Sequence, residues 1–290
     1  MNLISKDPLI LFTVLLTAVS LTLLSIPAEA QLPRERAITN ETVDRIFWAP
    51  VAVGLTTVQN VDHKNMMSSV VHTFGLTRGG LDTFFGMDDG ANTKLNLDYG
   101  FTDRFSMGIG RMTFNKVVDL RTKVNLLRQN ESGSMPLDVA LKASMGINTL
   151  SGLNYNFNDR LSYFASVMAA RKMSRFSLQL SPMIAHFNNP LSGQPKQLYG
   201  MGVLLQYEIN ERLSLNSEYL PIFGDRDAGT ADAMALALNI DTGGHIFQLF
   251  LTSSQWHNEQ FIMANNRDRF WNGDLRFGFN IHRVFGLGEN

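Results

Sequence analysis

The chain has 290 residues, of which 44% are hydrophobic and 18% charged. Soluble domains carry about 25% charge, so this ionic surface is thin. The net charge of −1 gives no basic excess for nucleic acid, and the absence of cysteine excludes disulfides, thiolate metal sites and a cysteine nucleophile.

Met1 to Ala30 reads as a secretory signal. Lys6 lies in a short leading region, weakened by Asp7, and Leu9 to Leu24 is apolar apart from Thr and Ser. Ala28-Glu29-Ala30 fits a small-x-small cleavage site, giving a mature start at Gln31. The apolar stretch is shorter than the ~20 residues a spanning helix needs. Removal takes away Lys6, Asp7 and Glu29 and leaves 24 charges of each sign. The segment 31–66 follows and precedes the first regular strand; it is a candidate plug for the interior of what comes next. No later segment is long and apolar enough for a spanning helix. If the mature chain crosses a membrane, only a closed barrel satisfies its backbone.

From residue 67 onward the period is two. In chain order the runs are Met67–Leu76, Lys94–Tyr99, Arg104–Phe114, Val118–Leu126, Leu137–Ile147, Leu161–Arg171, Phe176–Phe187, Tyr199–Ile209, Leu213–Phe223, Ala233–Ile240, His245–Ser253 and Leu275–Ile281. The clearest alternate strictly: Leu95, Leu97 and Tyr99 against Lys94, Asn96 and Asp98, or Val118 and Leu120 against Asp119 and Arg121. Side chains on a strand point alternately to opposite faces, so each run has one apolar and one polar face. The expectation is an all-β, transmembrane, antiparallel up-and-down barrel over 67–290, with about twelve strands (range ~10–14). Val51–Val58 would break the even count and is placed outside the wall.

The connections sort by length. One side takes turns at 102–104, 172–174, 210–212 and 241–244, with a longer link at 128–136. The other takes 77–91, 148–160, 188–197, 224–232 and 254–272, with one tight turn at Asn115-Lys116. Short turns on one side and long loops on the other match barrels with periplasmic turns and external loops. Asn, Asp and Ser suit such turns through local backbone bonds. Gly243-Gly244 reads as a turn that needs positive φ.

Alternation alone does not say which face is out. A twelve-stranded wall is wider than the ~8 strands whose interior side chains can fill, which favours apolar faces outward. Tyr99, Phe101, Phe105, Phe176, Tyr207 and Phe285 flank the short-turn side, as an interfacial girdle would. Arg111 fits badly, because it shares parity with Met107 and Ile109. The last strand must also stop short of the terminal Glu289-Asn290.

Between Phe74 and Phe285 the chain resembles a family of bacterial outer-membrane-type β-barrel proteins of unknown function. The residues carrying the resemblance include Asp89-Gly90-Ala91-Asn92, Leu97-Asp98-Tyr99-Gly100-Phe101-Thr102-Asp103-Arg104 and Phe176-Ser177-Leu178-Gln179-Leu180. The most specific block is Asp241-Thr242-Gly243-Gly244-His245-Ile246-Phe247-Gln248-Leu249. The resemblance implies a barrel in the outer membrane of a Gram-negative bacterium, and it supplies no substrate and no catalytic residue.

Chemistry-bearing motifs are sparse. There is no Gly-x-Ser-x-Gly, no P-loop and no His-Glu-x-x-His, and His257-Asn258-Glu259 lacks the second histidine of a zinc face. Ser132-Gly133-Ser134 has no histidine near it in sequence, and Asp88-Asp89 reads as a solvated turn. The reading is therefore no enzyme, no metal and no cofactor. Function would lie in the lumen. The inner parity places Lys94, Asn96, Asp98, Asp119, Arg121, Lys123, Asp138, Lys142, Glu208, Glu218, Asp274 and Arg276 there. Their signs nearly balance, so strong ion selectivity is not expected. The first reading is a narrow passive pore or carrier for small solutes, with membrane lipid as its surroundings and no nucleic-acid partner. A non-transporting structural or docking barrel using loops 77–91, 188–197 and 254–272 is the alternative. An outer-membrane hydrolase comes third. Cargo, oligomeric state and protein partners are not legible.

Overall fold

The structure, a computed structural model, describes residues 41–191 and 193–287. The expected signal over 1–30 and the first part of the N-terminal segment, 31–40, lie outside the described residues. The wall is one antiparallel sheet of β1 (Asn65–Leu76), β2 (Ala91–Thr102), β3 (Phe105–Met112), β4 (Val117–Leu127), β5 (Asp138–Asn148), β6 (Leu161–Met173), β7 (Phe176–Phe187), β8 (Gln197–Glu208), β9 (Leu213–Leu220), β10 (Ile222–Phe223), β11 (Ala233–Asp241), β12 (His245–Thr252) and β13 (Arg276–Gly286). Neighbours in sequence are neighbours in the sheet, and β1 pairs with β13 to close it. β10 only prolongs β9 beyond Pro221, keeping its pairing to β8. The result is a closed up-and-down barrel of twelve strands with one short extra strand. Closure pairs every strand on both sides and removes the open edges that lipid would not tolerate.

Alternation sets the two faces. Leu95, Leu97, Ile109, Leu120, Leu205 and Leu249 stand exposed on the outside, while Lys94, Asp119, Lys123 and Lys142 are buried within. A soluble barrel would do the reverse. The turn-end girdle is present as packed ring pairs: Tyr99 on Phe101 at 4.9 Å and Phe176 on Tyr207 at 4.6 Å. A second set, Tyr163, Tyr199 and Tyr219, marks the loop end, where the Tyr219 hydroxyl donates to Asp232 at 2.9 Å. Arg111 is on the outer face at the loop end of β3 and reaches Thr149 Oγ1 at 3.4 Å, so its charge meets loop polar groups and not mid-membrane lipid. Gly243 has φ 83°, as its turn requires.

The lumen is filled from both ends. From the turn end, residues 41–64 enter, fold back on themselves and leave by the same end into β1. Val43 N donates to Gln129 O on the way in, and Lys64 N to Gly100 O on the way out. The tip is a tight return over Val51–Thr56, closed by Ala52 N to Leu55 O and Thr57 N to Pro50 O, both 2.9 Å. Ile46, Phe47, Ala52, Leu55 and Val58 are each about 1% exposed. Gly100 is where this segment leaves: a Cβ there would run into the carbonyls of Val61 and Asp62.

From the loop end, residues 254–266 turn inward and carry a short helix, α1 (Glu259–Asn265), all seven residues of which are buried. For 254–266 this corrects the reading of 254–272 as an external docking loop, while 267–272 stays outside with Trp271 exposed. It also corrects the expectation of a polar inner face. On β6–β8 the inner face is mixed: Phe164, Met168, Met183, Ala185, Phe187, Leu198 and Leu204 pack with Leu55 and with Phe261, Ile262 and Met263, beside the buried Ser166, Ser177, Gln179 and Gln206. The physical reason is the filling itself. Once two apolar segments occupy the lumen, the wall facing them gains by matching them. Loops 77–90 and 188–191 stay outside, presenting exposed Leu81, Phe84 and Leu191.

Candidate functional site

The polar side of the lumen lies on β2–β5. Successive strands place Lys94 and Asp98 beside Asp119 and Arg121. Lys94 Nζ is 3.1 Å from Asp119 Oδ1. Arg121 forks onto Asp98 at 2.8 and 2.7 Å and reaches Asp119 Oδ2 at 2.8 Å. Such bidentate pairs fix the guanidinium as well as neutralise it. Gly108 and Gly110 on β3 make room, since a Cβ at Gly108 would meet the Asp98 and Arg121 side chains and one at Gly110 those of Asn96, Asp119 and Arg121. Asn96 sits beside this cluster with its buried Oδ1 unpartnered.

Two lysines face the filling segments. Lys123 Nζ donates to the carbonyls of Thr57, at 3.0 Å, and Gln59. Lys142 Nζ meets Glu259 Oε1 at 2.6 Å and Thr56 Oγ1 at 2.5 Å, and Thr56 Oγ1 in turn donates to Glu259 Oε1 at 2.6 Å. One residue from each filling segment and one from the wall thus meet at mid-lumen. Burial by itself would push the Glu259 carboxyl up, but Lys142 and its hydrogen bonds outweigh that and hold it below the usual carboxylate range.

Across the lumen, Glu218 on β9 accepts three successive backbone N–H groups from the return, Val53 at 3.2 Å, Gly54 at 2.8 Å and Leu55 at 3.1 Å. Consecutive amides around one anion form a concave nest. The rest of the wall holds the segment by amides and hydroxyls. Gln179 accepts from Val58 N and donates to Thr56 O, Gln206 accepts from Trp48 N, and Ser177 donates to Ile46 O. Apart from two isolated bridges, the segment joins no strand.

The remaining expected residues fall toward the ends. Glu208 binds Lys172 at 2.7 Å and the Trp48 indole N–H at 3.1 Å. Asp138 is buried at the turn end, and Arg276 pairs with Asp268 at 2.7 Å at the loop end. Asp274 is not on the wall: it lies in the link before β13, against Arg78 at 3.3 Å, because the strand begins two residues later. Sequence reasoning missed Glu259, Thr56 and His257. The first and last sit in a loop whose periodicity carries no hint that it turns inward. Gln179, Gln206 and Gln248 were discoverable, since they share the polar parity of their strands. His257 Nε2 donates to the Asn92 carbonyl at 3.1 Å, and burial depresses its pKa to about 4. A cavity of about 50 Å³ remains between Lys94, Asp98, Arg121, Lys123, Lys142 and Glu259, and one of about 10 Å³ beside Glu218. The larger holds a few waters at most.

Comparison with known proteins extends the fold and not the chemistry. Among solved structures, the chain is similar to the NanC porin (11% identity, 75% of this chain and 98% of that one, TM-score 0.49). It is also similar to an outer membrane channel from Pseudomonas putida F1 (14% identity, 79% and 98%, TM-score 0.44) and to outer membrane phospholipase A from Escherichia coli (10% identity, 80% and 93%, TM-score 0.44). No curated protein sequence matches the chain. A family model matches residues 47–285, nearly the whole described barrel together with the segment inside it, and the chain therefore belongs to the family described as a membrane bound beta barrel domain (DUF5777).

Proposed function

We propose that this protein is a narrow passive channel for small polar solutes in the outer membrane of a Gram-negative bacterium, exported by a cleaved signal and held closed by its own N-terminal segment. One observation carries the reading. The segment 41–64 enters and leaves by the same end and is bound by side chains of the wall, not by the sheet ladder. It can withdraw without opening a single wall pairing. The paired charges behind it, Lys94, Asp98, Asp119 and Arg121, then line a wet path.

The reading includes no enzymatic role. Ser132 and Ser134 bond to each other at 3.0 Å in the 128–137 link, with Asn130 donating to Ser134, and among the described residues no histidine bonds to either. The alternative of a structural barrel draws on the apolar packing of Leu55 against β6–β8 and α1, which favours a permanently filled lumen. Single-channel recording of the refolded mature chain in a planar bilayer tests the choice, with a heat-shifted gel band confirming the fold. Discrete steps are expected, with larger conductance once 31–65 is deleted. Silence from both folded proteins would leave the structural barrel.

A further inference from the structure

Counted along the sequence, the lumen charges nearly cancel; in space they do not. The inner faces of β2–β5 gather Lys94, Arg121, Lys123 and Lys142 around one cavity, with Asp98 and Asp119 as the wall's own carboxylates there. Four cations stand against two anions. The excess is met only by the filling segments: Glu259 on Lys142, and the Thr57 and Gln59 carbonyls on Lys123. Across the lumen, the wall anion Glu218 is itself occupied by three amides of the return.

We propose that Glu259 is a built-in stand-in for the carboxylate of a small anionic solute, and that Lys142, with Lys123 and Lys94 beside it, is the site such a solute takes when 254–266 swings outward. This deepens the channel reading above and rests on it for the route, though not for the binding. A carboxylate demonstrably fits: one oxygen of Glu259 accepts from Lys142 Nζ, Thr56 Oγ1 and Thr56 N at once. The segment that delivers it is held by several hydrogen bonds, among them Asn258 Nδ2 to Asp119, yet leaves five polar side-chain atoms unmet. Trp256 Nε1, Asn258 Oδ1, both amide atoms of Gln260 and Asn265 Oδ1 are buried without a hydrogen bond in the protein. Moving outward returns all of them to water, which offsets part of the cost of leaving. A solute carboxylate replacing Glu259 keeps Lys142 paired, whereas departure with no replacement leaves a buried cation bare.

The test uses the full mature chain, refolded in detergent and checked by heat-shifted mobility, with succinate as probe and 1,4-butanediol as the uncharged control at matched ionic strength. Trp256 lies three residues from Glu259 and reports by fluorescence. A saturable response to succinate alone is expected. It should weaken at least tenfold in Lys142→Gln and tighten severalfold in Glu259→Gln, where the internal competitor has lost its charge. A merely structural ion pair predicts no succinate response and no tightening in Glu259→Gln; either result overturns the proposal, and the second variant decides even if the first does not fold. Reversal potentials in a KCl gradient separate this from the channel reading. Anion preference that falls in Lys142→Gln supports both. Steps without anion preference, from a protein that ignores succinate, overturn the site and leave the channel. Succinate binding by a silent barrel supports the site and removes the channel.

Discussion

Glu218 is the residue on which the return depends. Three amides converge on its buried carboxylate, where charge-assisted bonds run to about 1.5–3 kcal/mol each and an abandoned buried donor costs a similar amount. Glu218→Gln keeps the shape and removes the charge. It should loosen the segment by about 2 kcal/mol, read as faster thermolysin cleavage near Leu55 with the barrel band intact; an unchanged rate would show that apolar packing alone holds the tip. His257 gives the outer segment a pH dependence. Its folded pKa lies below that of a free histidine, so the inward position is fully favoured above about pH 6.5 and loses support as pH falls toward 4, by roughly 3 kcal/mol in all. Lys94 and His72 face it, and both disfavour its charged form. Protease exposure of 254–266 should therefore rise between pH 6.5 and 4, and His257→Asn should flatten that rise.

At the scale of elements, the strands and the filling segments behaved differently under sequence reading. Every wall strand was legible, because one face must meet lipid and the other must not, and that demand writes a period of two into each. On β6 the contrast between the two faces is weak for a physical reason: part of the lumen beside it is apolar, so Phe164 and Met168 point inward while Val167 points out. Residues 41–64 and 254–266 carry no period at all, since irregular backbone inside a lumen is held by whatever side chains surround it. The two meet at Gly54, where a Cβ would lie 2.8 Å from Ile262 Cδ1 and 3.3 Å from Glu218 Oε1. Gly54→Leu should force the return and α1 apart. Faster proteolysis of both segments, without loss of the heat-modifiable band, is the expected result, and slower or unchanged cleavage would mean that the contact yields by side-chain rotation.

The whole molecule is arranged by its surroundings. Lipid outside requires an apolar belt, and Leu97 stands in its middle at 42% exposure, between the turn-end rings and the loop-end tyrosines. Leu97→Arg should destabilise the folded barrel by about 2–4 kcal/mol, the range for a cation at mid-membrane, in urea titrations from bilayers. The neighbouring inward Asn96→Asp, nearly the same shape, should not share this lipid penalty, because it adds its charge among Lys94, Arg121 and Lys123 in the lumen; equal losses at the two positions would mean that outside and inside are wrongly assigned. By itself the sequence determined the closed antiparallel barrel, its even strand number, the outward apolar face and the segregation of short turns from long loops. All of these follow from local alternation and chain connectivity. Only the tertiary structure decided that the lumen is full, that the first part of one expected outer loop, 254–266, turns inward, and that balanced lumen charges collect as cations on one wall. Those outcomes depend on which distant residues share a space once the sheet has closed, and no local pattern in the chain encodes that.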